Sequence, residues 1–143
     1  MNVSVLTPEQ RPCFVENGYL IVRNALTPPV LERVTATVDR LFAEGLREGR
    51  LNRANAFELR NAIVHDDAFL NLLDWPATVP LAVQLLGWDI QLDTSHVIVR
   101  PPQLPGTSAH FKALDWHRDG GIAKHELPAP QPRLRLKICY VLS

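Results

Sequence analysis

The chain has 143 residues, 46% hydrophobic and 21% charged, with 15 basic and 15 acidic residues and a formal net charge of zero. That composition fits one ordinary globular domain with a sizeable core. The charge balance argues against a general electrostatic attraction to nucleic acid or to an anionic membrane.

The first predicted element opens at Thr7-Pro8-Glu9-Gln10, with Thr7 as N-cap and Pro8 at the first helical position, where its missing N–H costs nothing. Gly18 ends that helix, and Tyr19 to Arg23, rich in branched and aromatic residues, reads as a short strand. Thr27-Pro28-Pro29 opens a longer helix. Its apolar positions Val30, Val34, Val38, Leu41 and Phe42 recur at helical spacing as a packing face, and Gly45 or Gly49 closes it. Arg47, Arg50 and Arg53 beyond it read as a solvated helix end and loop.

Asn52 to Arg60 shows no clear period and reads as a loop that borders a ligand. His65 precedes two aspartates in a helix-capping pattern. Asp66 to Leu73 and Ala77 to Leu86 read as two short helices, separated by Trp75-Pro76 and ended by Gly87. Trp88 to Asp93 and Ser95 to Arg100 read as strands, Gln103 to Ser108 as a loop around Pro105-Gly106, and Pro128, Pro130 and Pro132 as a stiff linker. Leu134 to Leu142 alternates cleanly: Leu134, Leu136, Ile138 and Tyr140 on one face, Arg135, Lys137 and Cys139 on the other. Helices precede strands, which predicts an α+β arrangement with helices packed on one side of a sheet.

Cys13 and Cys139 form no C-x-x-C or multi-cysteine metal pattern, and they read most simply as buried thiols in a reducing compartment. There is no basic segment followed by an apolar run at the N-terminus, and no apolar stretch approaches the roughly 18–20 residues that span a bilayer. The expected setting is cytoplasmic, without a membrane.

The chemistry concentrates in Asp115-Trp116-His117-Arg118-Asp119-Gly120-Gly121. Residues i and i+2 of a strand share a face, so His117 and Asp119 can present an imidazole nitrogen and a carboxylate oxygen to one metal ion. They make two-thirds of the 2-His-1-carboxylate set that holds non-haem Fe(II) with open coordination positions. The plain alternative is a polar turn after a strand. Trp116 beside the pair is a large apolar face suited to core packing or to a pocket wall, and Gly120-Gly121 lets the backbone turn sharply. A third ligand would be water, His110, His125 or a histidine of another chain. A zinc hydrolase would need three protein ligands, and no H-E-x-x-H is present.

Several segments in order extend the motif: Phe14-Val15-Glu16-Asn17-Gly18-Tyr19-Leu20-Ile21-Val22, Asp66-Asp67-Ala68-Phe69, Leu85-Leu86-Gly87-Trp88-Asp89, Ser95-His96-Val97-Ile98-Val99-Arg100-Pro101-Pro102, Trp116-His117-Arg118-Asp119, and the stretch from Leu134 to Ser143. Together they resemble the phytanoyl-CoA dioxygenase family of Fe(II)/2-oxoglutarate-dependent oxygenases. The resemblance implies a double-stranded β-helix, the cupin-like jelly roll, with N-terminal helices supporting its larger sheet. It implies a dioxygenase that hydroxylates a small organic molecule, with Fe(II) as cofactor and 2-oxoglutarate as co-substrate. His117 and Asp119 are then the catalytic metal ligands, and Thr94, Ser95, Arg60, Lys137 and Trp116 are candidates for binding the co-substrate. Measured against the family, the distal histidine and arginine are missing. The chain is therefore expected to be a single domain over 1–143 that is the N-terminal part of a longer oxygenase domain, its sheet completed by a C-terminal half or a partner chain. The competing expectation is a non-catalytic half-domain, or pseudoenzyme, acting as a binding module.

Overall fold

The computed structural model describes residues 5–51, 56–100 and 135–142. Helix α1 runs Gln10–Asn17, two residues later than expected from Pro8. Thr7 still caps it. Thr7 Oγ1 accepts from the Gln10 N–H at 3.2 Å, and Gln10 Oε1 accepts from the Thr7 N–H at 2.9 Å. This reciprocal T-x-x-Q box satisfies two donors that the first turn leaves open. Gly18, at φ 79°, ends the helix in the left-handed region, and its N–H donates to the Phe14 carbonyl.

The expected strand from Tyr19 to Arg23 does not form. Tyr19 and Ile21 are exposed, and the segment joins no ladder among the described residues. Branched and aromatic residues favour a strand only where a neighbouring strand receives them. Here the following turn is instead pinned by the Trp75 indole, whose Nε1–H donates to the Ala25 carbonyl at 2.6 Å.

Helix α2, Pro28–Arg47, starts as expected, with Thr27 extended at the N-cap and Pro28 at N1. Its stripe is a packing face: Val34 and Leu41 are buried, and Val30, Val38 and Phe42 pack against the core they belong to. Gly49 stops the helix, while Gly45 lies within it. Arg50 N–H donates to the Gly45 carbonyl at 2.8 Å and Gly49 N–H to the Leu46 carbonyl at 3.2 Å, which is a Schellman closure. Gly45 has a separate role: it is buried and leaves room for the Phe57 ring.

The interval Asn52 to Arg60, expected as a loop, ends in a strand. Strand β1, Phe57–Arg60, pairs antiparallel with β2, His96–Val99, in the register Phe57↔Val99, Glu58↔Ile98, Leu59↔Val97, Arg60↔His96. Alternation puts Phe57, Leu59 and Val97 against the helices and Glu58, Arg60, His96 and Ile98 outward. Between the strands lie a 3₁₀ turn, Ala62–Val64, and two helices, α3 (Asp67–Leu70) and α4 (Val79–Leu86). Both helices are shorter than expected. The core unites Val34, Leu41, Phe57, Leu59, Ala62, Ala68, Phe69 and Val97. Among the described residues the architecture is α+β, with helices against a two-stranded antiparallel sheet.

Two more expected strands carry no ladder. Trp88 to Asp93 follows Gly87, whose φ of 101° and ψ of 179° only glycine adopts readily, and Trp88 stands 88% exposed. Residues 135–142 run without helix or strand pairing; Leu134 lies outside the described residues. The expected alternation is nonetheless present: Leu136, Tyr140 and Leu142 are half-buried, while Arg135, Lys137 and Cys139 are exposed. Ile138, on the inward side of that pattern, remains 39% exposed.

The expectation of buried thiols is overturned, since both Cys13 and Cys139 are exposed. Helix α1 buries none of its residues, so a cysteine on it has no core to enter, and Cys139 occupies the outward side of the final segment.

Leu142 packs against the core, and two polar contacts also tie the final segment down. Arg135 reaches Asp93 at 3.6 Å, and the Tyr140 hydroxyl shares a 2.6 Å hydrogen bond with the hydroxyl of buried Thr78. Burial pushes the Tyr140 phenol above its ordinary value, opposed by the Thr78 bond. The neutral phenol's contribution to stability is therefore complete below a pH of about 10 and lost as pH rises through the raised value. Tyr140→Phe is expected to cost about 0.5–1.5 kcal/mol, to speed amide exchange in 135–142, and to abolish that alkaline loss. Unchanged exchange would show that the hydroxyl pair does not hold the segment.

Candidate functional site

Of the seven sequence-derived site residues, Trp116, His117 and Asp119 lie outside the described residues, as do His110 and His125. Among the described residues no group of three His, Cys, Asp or Glu side chains is placed to hold a metal ion. The donor chemistry of the motif is a neutral imidazole and an ionised carboxylate, both available near neutral pH. This mixed N/O set suits Fe(II).

The other four candidates separate. Arg60 ends β1 directly opposite His96 of β2, and both side chains are exposed on the face away from the helices. Thr94 precedes β2, and its Oγ1 lies 2.9 Å from His96 Nε2. Ser95 is half-buried and engaged with the turn. Its Oγ accepts from Ile63 N–H at 3.4 Å and its carbonyl from Ala62 N–H at 3.2 Å, which continues the β1–β2 pairing around the bend. Lys137 is exposed on the final segment. Thr94 and Arg60 thus share a neighbourhood with His96.

His96 is not among the candidates that the sequence singles out. The signal that finds His96 is its i, i+2 spacing from Thr94, the same logic that joins His117 to Asp119. The register that brings Arg60 across from it has no local signature.

A second polar group surrounds an open depression lined by Arg33, Ile63, Val64, His65, Asp66 and Asp67. One of its two carboxylates, Asp66, is committed to structure. Asp66 is the N-cap of α3, as the capping pattern predicts, accepting from Ala68 N–H at 2.8 Å and from Arg40 at 2.8 Å. The Ala68 N–H, aided by the positive charges of Arg40 and Arg33, holds the Asp66 carboxyl below its ordinary value against a smaller, opposing desolvation. Stability from the ionised form is therefore present above the unfolded-state value of about 3.9 and lost as pH falls through the lower folded-state value. Asp66→Asn keeps a cap acceptor but removes the charge. The variant is expected to be less stable than the native chain at pH 7, with the gap closing in acid, as read from urea unfolding at pH 7 and near pH 2. An equal gap at both pH values would show that the charge contributes nothing.

No described helix is long and apolar enough to cross a membrane. Compared with protein-family models, with curated proteins and with solved structures, the chain matches none.

Proposed function

We propose that this chain carries the metal-binding motif of an Fe(II)/2-oxoglutarate-dependent oxygenase that hydroxylates a small organic molecule. The carrying observation is the sequence Trp116-His117-Arg118-Asp119 at its place in an ordered series of segments resembling the phytanoyl-CoA dioxygenase family. The described fold supports the reading. Among the described residues, helices cover one face of the sheet, and Arg60, Thr94 and His96 lie on or beside the other. In the jelly roll that the resemblance implies, the face of the larger sheet away from the helices would look into the pocket.

In this reading His117 and Asp119 hold the metal. Fe(II) held there would let dioxygen act as the oxidant, one oxygen atom turning a substrate C–H into C–OH and the other going to succinate as 2-oxoglutarate loses carbon dioxide. The chain's own residues bind and orient. Arg60 and Lys137 offer cations to carboxylates, Thr94 a hydroxyl, and Trp116 an apolar wall that keeps water out. The setting would be cytoplasmic, with a small-molecule substrate and with the sheet extended by further strands.

The competing reading is a non-catalytic interaction module. The exposed apolar side chains Trp88, Ile90 and Leu92 favour it, since such a run is suited to a partner surface. Succinate release separates the two. The chain is incubated with Fe(II), ascorbate, 2-oxoglutarate and oxygen, and succinate is followed by NMR. Succinate formed by the native chain and lost in His117→Ala supports the oxygenase. No succinate, together with no Co(II) absorption that depends on His117 and Asp119, overturns it.

A further inference from the structure

We propose that Asn17 is a modification site that deamidates through its own main chain, at a rate set by how often the last turn of α1 opens.

Asn17-Gly18 is the one asparagine–glycine pair in the chain; the other asparagines precede Val3, Ala25, Arg53, Ala56, Ala62 and Leu72. In the reaction the Gly18 main-chain nitrogen attacks the Asn17 side-chain carbon Cγ. The N–Cγ bond forms, the Cγ–Nδ2 bond breaks, and ammonia leaves with the proton of the attacking amide. The product is a five-membered imide. Water then opens it at either carbonyl and gives aspartate or, where the chain now runs through Cγ, isoaspartate. No oxidant and no cofactor enter. A side chain on the following residue crowds the attacking nitrogen and narrows its backbone angles, and glycine does neither.

The fold sets this pair at a weakly held place. Helix α1 has eight residues and buries none of them, and so short a helix is marginal without packing. Asn17 and Gly18 are both exposed to water. The Arg11 guanidinium donates to the Gln84 carbonyl at 2.9 Å, and the Leu6 N–H donates to Gln84 Oε1 at 3.0 Å. Both ties lie toward the N-terminal end of α1, away from Asn17.

While the last turn is closed, both reacting groups are engaged. The Gly18 N–H donates to the Phe14 carbonyl at 2.8 Å. Asn17 Nδ2 donates to the Cys13 carbonyl at 2.9 Å, with Cys13 Sγ at 3.4 Å, so the side-chain amide is drawn back onto the preceding turn. Attack requires these bonds to break together. The rate in the native chain is then the open fraction of the turn multiplied by the rate of the free dipeptide.

Conversion also acts back on the gate. The product has lost the Nδ2 donor to Cys13, and it puts a carboxylate at the helix C-terminus, where the helix dipole is already negative. Isoaspartate further lengthens the main chain by one methylene just before Gly18. The end of α1 is therefore held less well after the reaction than before it.

The test incubates the full chain at neutral and mildly alkaline pH. Each asparagine is followed by peptide mapping with mass spectrometry, and isoaspartate by enzymatic methyl labelling. Conversion at Asn17 should rise with pH and outpace that at Asn24, which is also exposed but precedes alanine, by about tenfold or more. Unfolding in urea should speed it several-fold. Arg11→Ala, which cuts one tie of α1, should speed it several-fold in the native chain and leave the rate in urea unchanged. Asn17→Asp, with one product in place, should speed amide exchange along α1 several-fold and leave exchange in α2 as it was. The proposal is overturned if Asn17 converts no faster than Asn24, if it converts in urea but not in the native chain, or if it converts as fast in the native chain as in urea. It is equally overturned if Arg11→Ala leaves the native rate unchanged, or if Asn17→Asp leaves exchange along α1 unchanged.

Discussion

Phe57→Ala is expected to destabilise the fold by about 3–5 kcal/mol, the range for emptying a large aromatic site in a packed core. Phe57 is 1% exposed and lies where three elements meet. Its ring tilts at 58° against Phe42 of α2 with centroids 5.8 Å apart, and the Arg50 guanidinium sits 5.6 Å over its face. Its backbone pairs with Val99 on one side and bridges to Leu51 on the other. Gly45 shows how close the fit is, because a Cβ built there meets Phe57 Cδ2 at 2.6 Å and Cε2 closer still. Helix propensity alone favours alanine over glycine by about 1 kcal/mol, while overpacking costs about 1–3 kcal/mol. Gly45→Ala should therefore destabilise the native chain, and it should stabilise the Phe57→Ala variant, where the ring is gone. A double-mutant cycle by urea unfolding reads this reversal of sign. If Gly45→Ala stabilises both backgrounds equally, the contact is absent.

What was legible in the sequence had a long or chemically marked signal. The stripe of α2, Val30 to Phe42, repeats over roughly three turns, and the prolines after Thr27 leave little choice of start. Gly18 and Gly49 mark left-handed closures that glycine adopts without penalty. Strand β2 came within two residues of its expected bounds because Val97 to Val99 is a branched run. Strand β1 was hidden by its length. Phe57-Glu58-Leu59-Arg60 alternates correctly, but four residues at the end of an irregular interval carry little period. Tyr19 to Arg23 and Trp88 to Asp93 failed for the opposite reason. Their composition suits strands, but pairing is a tertiary event that composition cannot supply. At the candidate site, Thr94 and Arg60 were named individually. The register that sets Arg60 across from His96 joins positions 36 residues apart and leaves no trace in either segment alone. Ser95 was named with them, yet its hydroxyl is engaged by the Ile63 N–H, on the turn beside the strands.

On the proposed function, and in a version that carries the distal histidine and arginine, His117→Ala and Asp119→Ala are each expected to abolish turnover, while Arg118→Ala should be much milder. The reasoning is ligand count and alternation. On an extended segment, Arg118 points away from the face shared by its neighbours, so its loss removes no metal donor. Removing His117 or Asp119 halves the donor set this motif supplies. With fewer protein ligands the ion is held loosely, and precise positioning of reacting groups, worth roughly 7–11 kcal/mol at best, goes with it. Asp119→Glu probes geometry rather than charge: the carboxylate remains but moves by one methylene, so metal should bind with reduced affinity and turnover should fall further than binding. Co(II) absorption titrations and succinate release, made on the same four variants, give the two readouts. If metal binding survives His117→Ala undiminished, then His110 or His125 holds the ion, and the substitutions His110→Ala and His125→Ala follow at once. If Arg118→Ala loses metal as completely as His117→Ala, the alternation argument fails and the segment is not extended at the site.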